Sequence, residues 1–171
     1  MSESPDKQPG RSHRQLRIEL STQSLVCLRD GAMVMRFPVS TASNGAGEAL
    51  GSGCTPRGWH KVRLKIGAGC PENSVFVGRR PTGEIYTQAL ATRAPERDWI
   101  LTRILWLTGT QPGYNRGGPV DTLRRFIYIH GTPDSEPMGL AASHGCIRMR
   151  NRDLLRVFDW VETGTPVEIS G

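Results

Sequence analysis

Two of the four histidines and one of the four cysteines fall inside a single stretch, residues 129–153, IHGTPDSEPMGLAASHGCIRMRNRD. A cysteine becomes a useful nucleophile when a neighbouring cation or base lowers its pKa and takes its proton, so a thiol with a histidine delivered from a separate strand suits thiol catalysis. Cys146 and His130 fit that pattern, and the prolines and glycines between them allow a loop to bring the two side chains together. His144 is closer in sequence, and residues two apart share a face of a strand. The string Ser143-His144-Gly145-Cys146 nevertheless reads as a sharp turn whose amides point inward as donors for an oxyanion. Two plainer chemistries compete: a packed thiol beside a hydrogen-bonded core imidazole, or a zinc held by His130, His144 and Cys146. No carboxylate or further thiol stands beside these three and a two-residue ligand spacing is uncommon for zinc, so no metal and no cofactor is expected.

The elements that must position these residues are mostly strands. His130 ends the run Phe126-Ile127-Tyr128-Ile129, whose aromatic and β-branched residues suit a buried strand. Upstream, Leu16, Ile18, Leu20, Leu25, Cys27 and Met33 to Val39 alternate around Asp30-Gly31 and predict strand, hairpin, strand. Thr55-Pro56-Arg57-Gly58 is a proline-anchored turn before an alternating stretch from Trp59 to Ile66, and Ile100 to Leu107 reads as a further strand. Residues 67–98 read as surface loop with one or two short strands, and 108–120 as loop. Asn151 is expected to cap a helix over 152–162 with Leu154, Leu155, Phe158 and Val161 as its apolar face and Gly164 as its stop, before a last strand from Pro166 to Ile169.

With 171 residues the chain is long enough for one domain with a sizeable core and too short for two ordinary ones. The net charge of +6 favours anionic partners. A nucleic-acid module is disfavoured, because Lys and Arg are scattered and the few aromatics are not interleaved with them. No window offers the 18 or more consecutive apolar residues of a membrane span. The polar first fourteen residues lack the apolar stretch of a secretory signal, so a cytoplasmic location is expected, or a periplasmic one if a leader has been removed. Without a Cys-x-x-Cys pair, the odd cysteines Cys27, Cys54 and Cys70 are expected to be reduced packed or surface thiols.

Taken together, Tyr128-Ile129-His130-Gly131-Thr132, Gly139, Ser143-His144-Gly145-Cys146-Ile147-Arg148-Met149, Asn151, Asp153 and Gly164-Thr165-Pro166-Val167 resemble the YkuD family, the L,D-transpeptidase catalytic domain of peptidoglycan enzymes. Phe37-Pro38-Val39-Ser40 and the threonine-proline turn extend the resemblance upstream. It implies a mainly β, mixed β-sandwich with one short helix near the C-terminus, over residues 15–171, behind a flexible polar tail over 1–14. It also implies Cys146 as nucleophile, His130 as general base and the Gly131 carbonyl as orienter of the imidazole. Amides around His144, Gly145 and Cys146 would form the oxyanion hole, with Ser143 and His144 supporting the turn.

Arg148 would bind a substrate carboxylate, unless it is tied up in an ion pair with Asp153, and Tyr128 either faces the cleft or packs in the core. Trp59 and His60 could border the groove. The implied substrate is a peptidoglycan stem or muropeptide, with a carbapenem as covalent inhibitor. A cytoplasmic setting points to an L,D-carboxypeptidase of murein recycling that removes D-alanine from tetrapeptides. The alternative is a periplasmic L,D-transpeptidase that crosslinks stems or exchanges D-amino acids.

Overall fold

A computed structural model describes residues 13–171. Of the tail expected over 1–14, residues 1–12 lie outside the described residues, while Arg14 belongs to the first strand and pairs with Arg29. Three strands open the chain, β1 (Arg14–Glu19), β2 (Ser24–Arg29) and β3 (Ala32–Pro38). Asp30 and Gly31 both have positive φ, the two-residue turn that matches strand twist and for which an Asp-Gly pair is suited. Alternation in β1 buries Leu16 and Ile18. β3 is an edge strand, so Met33 and Val34 stay exposed while Phe37 packs inward.

β4 (Gly58–Ile66), β5 (Ser74–Val77), β6 (Arg80–Ile85) and β7 (Ile100–Gly109) follow. A helix, α1 (Gln88–Arg93), occupies a stretch expected to hold only loop and strand, so the fold has a second short helix beyond the expected one. It buries no side chain and is started by the Thr87 hydroxyl, which accepts from Leu90 N at 3.1 Å. β8 (Tyr128–Gly131), β9 (Ile147–Met149), α2 (Asn151–Trp160) and β10 (Pro166–Ser170) complete the chain.

All ten described strands join one branched sheet in the order β3-β2-β1-β10-β4-β7-β5-β6, with β8 and then β9 added from β7. Pairings are antiparallel except β1 with β10 and β8 with β9. The core lies between the branches and α2, where Leu16, Leu25, Val62, Leu105, Ile129, Ile147, Leu154, Phe158 and Val167 meet. The mainly β, mixed-sheet expectation with a short helix near the C-terminus holds.

Asn151 does not cap α2. It is the first helical residue, buried, while Arg150 takes the cap position without a side-chain bond. Val157 rather than Leu155 completes the buried face, because residues 154, 157, 158 and 161 follow the helical period more closely. The helix ends at Trp160, and Gly164 (φ 92) lies in the turn beyond.

Candidate active site

β8 and β9 run side by side with Ile129 opposite Ile147 and His130 opposite Arg148. Alternation then sets Tyr128, His130, Cys146 and Arg148 on one face, with Cys146 one diagonal step from His130. The Cys146 thiol is held at the strand entrance. Tyr128 N donates to Sγ at 3.3 Å, and the S–H donates to the Phe126 carbonyl at 3.3 Å. Burial pushes the Cys146 thiol up to about 11, against smaller lowering effects of the Tyr128 N–H, Arg148 and Arg125. The resting group is therefore a protonated thiol that needs a base.

His130 has the protonation that such a base would need. Its Nδ1 lies 2.6 Å from the Gly131 carbonyl, and because a carbonyl only accepts, the proton belongs on Nδ1 and the Nε2 lone pair is left open. Burial holds its pKa below the ordinary imidazole value, opposed by the Gly131 bond and Asp98 and assisted by Arg148. The pair is thus neutral thiol and neutral imidazole.

Gly131 is positioned from behind. In β7 a register shift between Leu101 and Ile104 coincides with Thr102 at φ 74, a left-handed conformation that a β-branched residue rarely adopts. Its hydroxyl is thereby aimed at Asn151 Oδ1, 2.6 Å away. Asn151 Nδ2 in turn donates to the Thr132 carbonyl and to Asn73 Oδ1, both at 3.0 Å. Thr102, Thr132 and Asn151 are buried around Gly131, where a side chain would collide with Asn151 and the Leu101 carbonyl.

The turn before Cys146 is tied as tightly. Ser143 Oγ donates to the Cys146 carbonyl at 2.6 Å and accepts from Gly145 N at 3.2 Å. Thr55 Oγ1 donates to the Gly145 carbonyl at 2.9 Å and accepts from Ala42 N at 3.0 Å. Gly145 has φ 136, which favours glycine. With the Gly145 amide engaged, the N–H groups of His144 and Cys146 meet no acceptor among the described residues and are the donors open to an oxyanion. The His144 side chain itself is exposed.

Arg148 is only 12% exposed and does not pair with Asp153. Its guanidinium lies 3.6 Å from Asp98 and 3.8 Å from Glu136, and donates to the Ala142 carbonyl at 3.3 Å. Arg148, Asp98 and Glu136, together with Thr132, His144 and Trp99, line a cavity of about 260 Å³. Tyr128 is buried, edge-on to Trp106 at 5.7 Å, and its hydroxyl accepts from Arg79 at 3.2 Å. Its ring packs against the same small apolar cluster as Cys146.

His60 turns away from the groove. It is buried between the Gly58 carbonyl and Thr122 Oγ1, each at 3.0 Å, and burial lowers its pKa to about 4. Trp59 is exposed at 40%. Cys27, Cys54 and Cys70 are free thiols like Cys146, and Cys27, deep in the core, is pushed up to about 12 by burial. Among the described residues no group of three His, Cys, Asp or Glu side chains is gathered as a metal site.

Thr55, Thr102 and Arg79 were not legible as site residues. Thr55 was visible only as part of a turn, and Arg79 lies in the stretch where apolar periodicity is weakest. The sole local sign for Arg79 was a Gly-Arg pair after the apolar run 75–77.

The model of the YkuD family, an L,D-transpeptidase catalytic domain, matches residues 13–169. A YkuD protein of Bacillus licheniformis named as an L,D-transpeptidase is 34% identical over 86 residues, 47% of this chain and 47% of the relative. The chain thus spans about half the length of that curated relative. Among solved structures, the L,D-transpeptidase of Xylanimonas cellulosilytica (residues 123-326) superposes with a TM-score of 0.60 at 21% identity, covering 95% of this chain and 63% of that one. An L,D-transpeptidase in complex with imipenem superposes with a TM-score of 0.55 at 20% identity, covering 93% and 59%. Both solved structures share this mostly β fold, and the family model spans nearly all the described residues: the chain belongs to the YkuD family of L,D-transpeptidase catalytic domains.

Proposed function

We propose that this domain is an L,D-carboxypeptidase: it removes the terminal D-alanine from tetrapeptide stems of soluble muropeptides by way of a thioester on Cys146, in a cytoplasmic recycling role. The observation that carries the chemistry is the neutral His130, its Nδ1 spent on the Gly131 carbonyl and its Nε2 open, one diagonal step from a protonated thiol. In the reaction Sγ attacks the carbonyl that joins the L-centre of the third residue to D-alanine, and His130 Nε2 takes the thiol proton. The oxyanion forms against the free amides of His144 and Cys146. Collapse breaks the amide bond, and His130 returns the proton to the departing amine. Water, deprotonated by His130, then attacks the thioester and releases the tripeptide acid and the thiol.

Water is the favoured acceptor because a soluble monomeric stem brings no second strand at high effective concentration, whereas water is present at bulk concentration. A second reading, transfer to an amine as in crosslinking, has one observation in its favour. Asp98 and Glu136, 60% and 43% exposed, stand at the cavity mouth and would attract an ammonium group.

Incubation with a tetrapeptide muropeptide followed by mass spectrometry separates the two. Tripeptide plus free D-alanine as the main products supports hydrolysis, and crosslinked dimers in excess of tripeptide at millimolar substrate replace it by transfer.

A further inference from the structure

Arg79 presents a cation to the thiol site that the acyl-transfer steps leave unused. We propose that Arg79 binds the free carboxylate of the substrate's terminal D-residue and thereby selects stems that end in a single such residue; this rests on the function proposed above.

Arg79 occupies the second position of the two-residue turn Gly78-Arg79 between β5 and β6, where Val77 pairs with Arg80. Both turn residues have positive φ, 55 and 65, a geometry in which glycine or asparagine is the usual second residue. A long cationic side chain stands there instead and reaches back over the site. Its guanidinium lies 4.8 Å from the Trp106 ring centre and 5.0 Å from that of Phe126, and one nitrogen donates to the Tyr128 hydroxyl at 3.2 Å. Stacking on two rings fixes the plane of the fork while leaving its edge available. Among the described residues no carboxylate pairs with it, and its remaining N–H groups have no acceptor. Phe126 is half exposed, so the rim beside the guanidinium is open.

The other two cations near the thiol are committed. Arg148 stands between Asp98 and Glu136. Arg125 donates to the carbonyls of Gly47 and Cys54 and to Ser52 Oγ.

Tyr128 measures the span. Its backbone N–H touches Sγ at 3.3 Å and its hydroxyl touches Arg79 at 3.2 Å, so one tyrosine with a hydrogen bond at each end separates sulfur from guanidinium. In the substrate, the terminal carboxylate is roughly 3.8 Å, one residue length, beyond the attacked carbonyl, and a charge-assisted hydrogen bond adds about 3 Å. With about 3 Å more for the approach of sulfur to the attacked carbonyl, the substrate side comes to roughly 10 Å, on the order of one tyrosine bridged at both ends. A longer stem would place an amide, not a carboxylate, opposite Arg79.

The test compares wild type, Arg79→Ala and Arg79→Lys on a tetrapeptide stem, on its C-terminal amide, and on a tetrapeptide amidated at any third-residue side-chain carboxylate. On the free acid, Arg79→Ala should lose roughly ten- to hundredfold in kcat/KM, mostly through KM, as expected for a charge-assisted bond, with partial recovery in Arg79→Lys. Wild type should lose a similar factor on the C-terminal amide, where Arg79→Ala should cause no further loss. Equal losses on acid and amide overturn the proposal, and so does a loss that vanishes only with the side-chain amide.

Alkylation of Cys146 by iodoacetamide should proceed at the wild-type rate in Arg79→Ala. A slower rate would mean that Arg79 shapes the thiol rather than the substrate site, which also overturns the proposal. If wild type releases no D-alanine at all, the carboxypeptidase reading falls by itself. Acylation of Cys146 by imipenem and by its carboxylate ester then decides Arg79: a loss in Arg79→Ala confined to the free acid upholds it, and equal losses end it.

Discussion

At Cys146 the cost of burying a charge outweighs the cations around it, so the thiol is pushed up to about 11 although Arg148 and Arg125 are near. At His130 the same penalty on charge moves the pKa the other way, disfavouring imidazolium and keeping the ring neutral. Activity should therefore persist below pH 6.5, the ordinary imidazole value, with the acid limb of kcat/KM lying lower, and a pH profile checks this. An acid limb above 6.5 would contradict a buried neutral base. Cys146→Ala should abolish turnover, while Cys27→Ala and Cys70→Ala, which alter thiols outside the catalytic pair, should keep activity within a few-fold when measured per folded molecule. That Cys146, His130 and the Ser143 turn come together was legible from residue order and from the family resemblance. The commitment of Arg148 to Asp98 and Glu136 was not, because those partners come from loops whose return to β9 no local pattern encodes.

The elements matter through the two ties they place on the catalytic segments. Asn151, expected as a helix cap, is instead a buried link between β7, the Asn73 loop and the residue after Gly131. Asn151→Ala strips partners from the Thr102 hydroxyl and the Thr132 carbonyl, so unfolding free energy should drop by about 1–3 kcal/mol for each group left unsatisfied. Its kcat should fall as Gly131 loosens, while iodoacetamide still reaches Cys146. Denaturant titration and steady-state kinetics read the two effects separately, and unchanged kcat would deny Asn151 a positioning role. Strands β1, β4 and β10 were readable because each buries alternate residues, and β2 and β7 because each is a nearly continuous buried run. α1 was missed because its six residues, QALATR, bury nothing and carry no such period. Thr102 escaped for a related reason: a left-handed conformation inside a strand follows from tertiary ties, not from the preference of threonine.

For the molecule as a whole, the buried histidines link catalysis to acid stability. His60 has a folded pKa of about 4 against 6.5 as its ordinary value, so below 6.5 the unfolded chain takes up protons that the folded chain refuses. Its contribution is fully present above pH 6.5 and is lost progressively as pH falls towards 4, by on the order of 3 kcal/mol in all. His130 shifts in the same direction and adds to the loss. The urea midpoint at pH 5 should accordingly lie below that at pH 7, and equal midpoints would mean that these imidazoles are not buried as described. A single thiol among four, Cys146, is expected to do the chemistry. Intact-protein mass spectrometry after exposure to imipenem tests it most directly. One adduct per wild-type chain is expected, located on Cys146 by peptide mapping, and none on Cys146→Ala; an adduct that persists on Cys146→Ala, or a folded wild-type chain that gains none, would overturn the single-thiol chemistry.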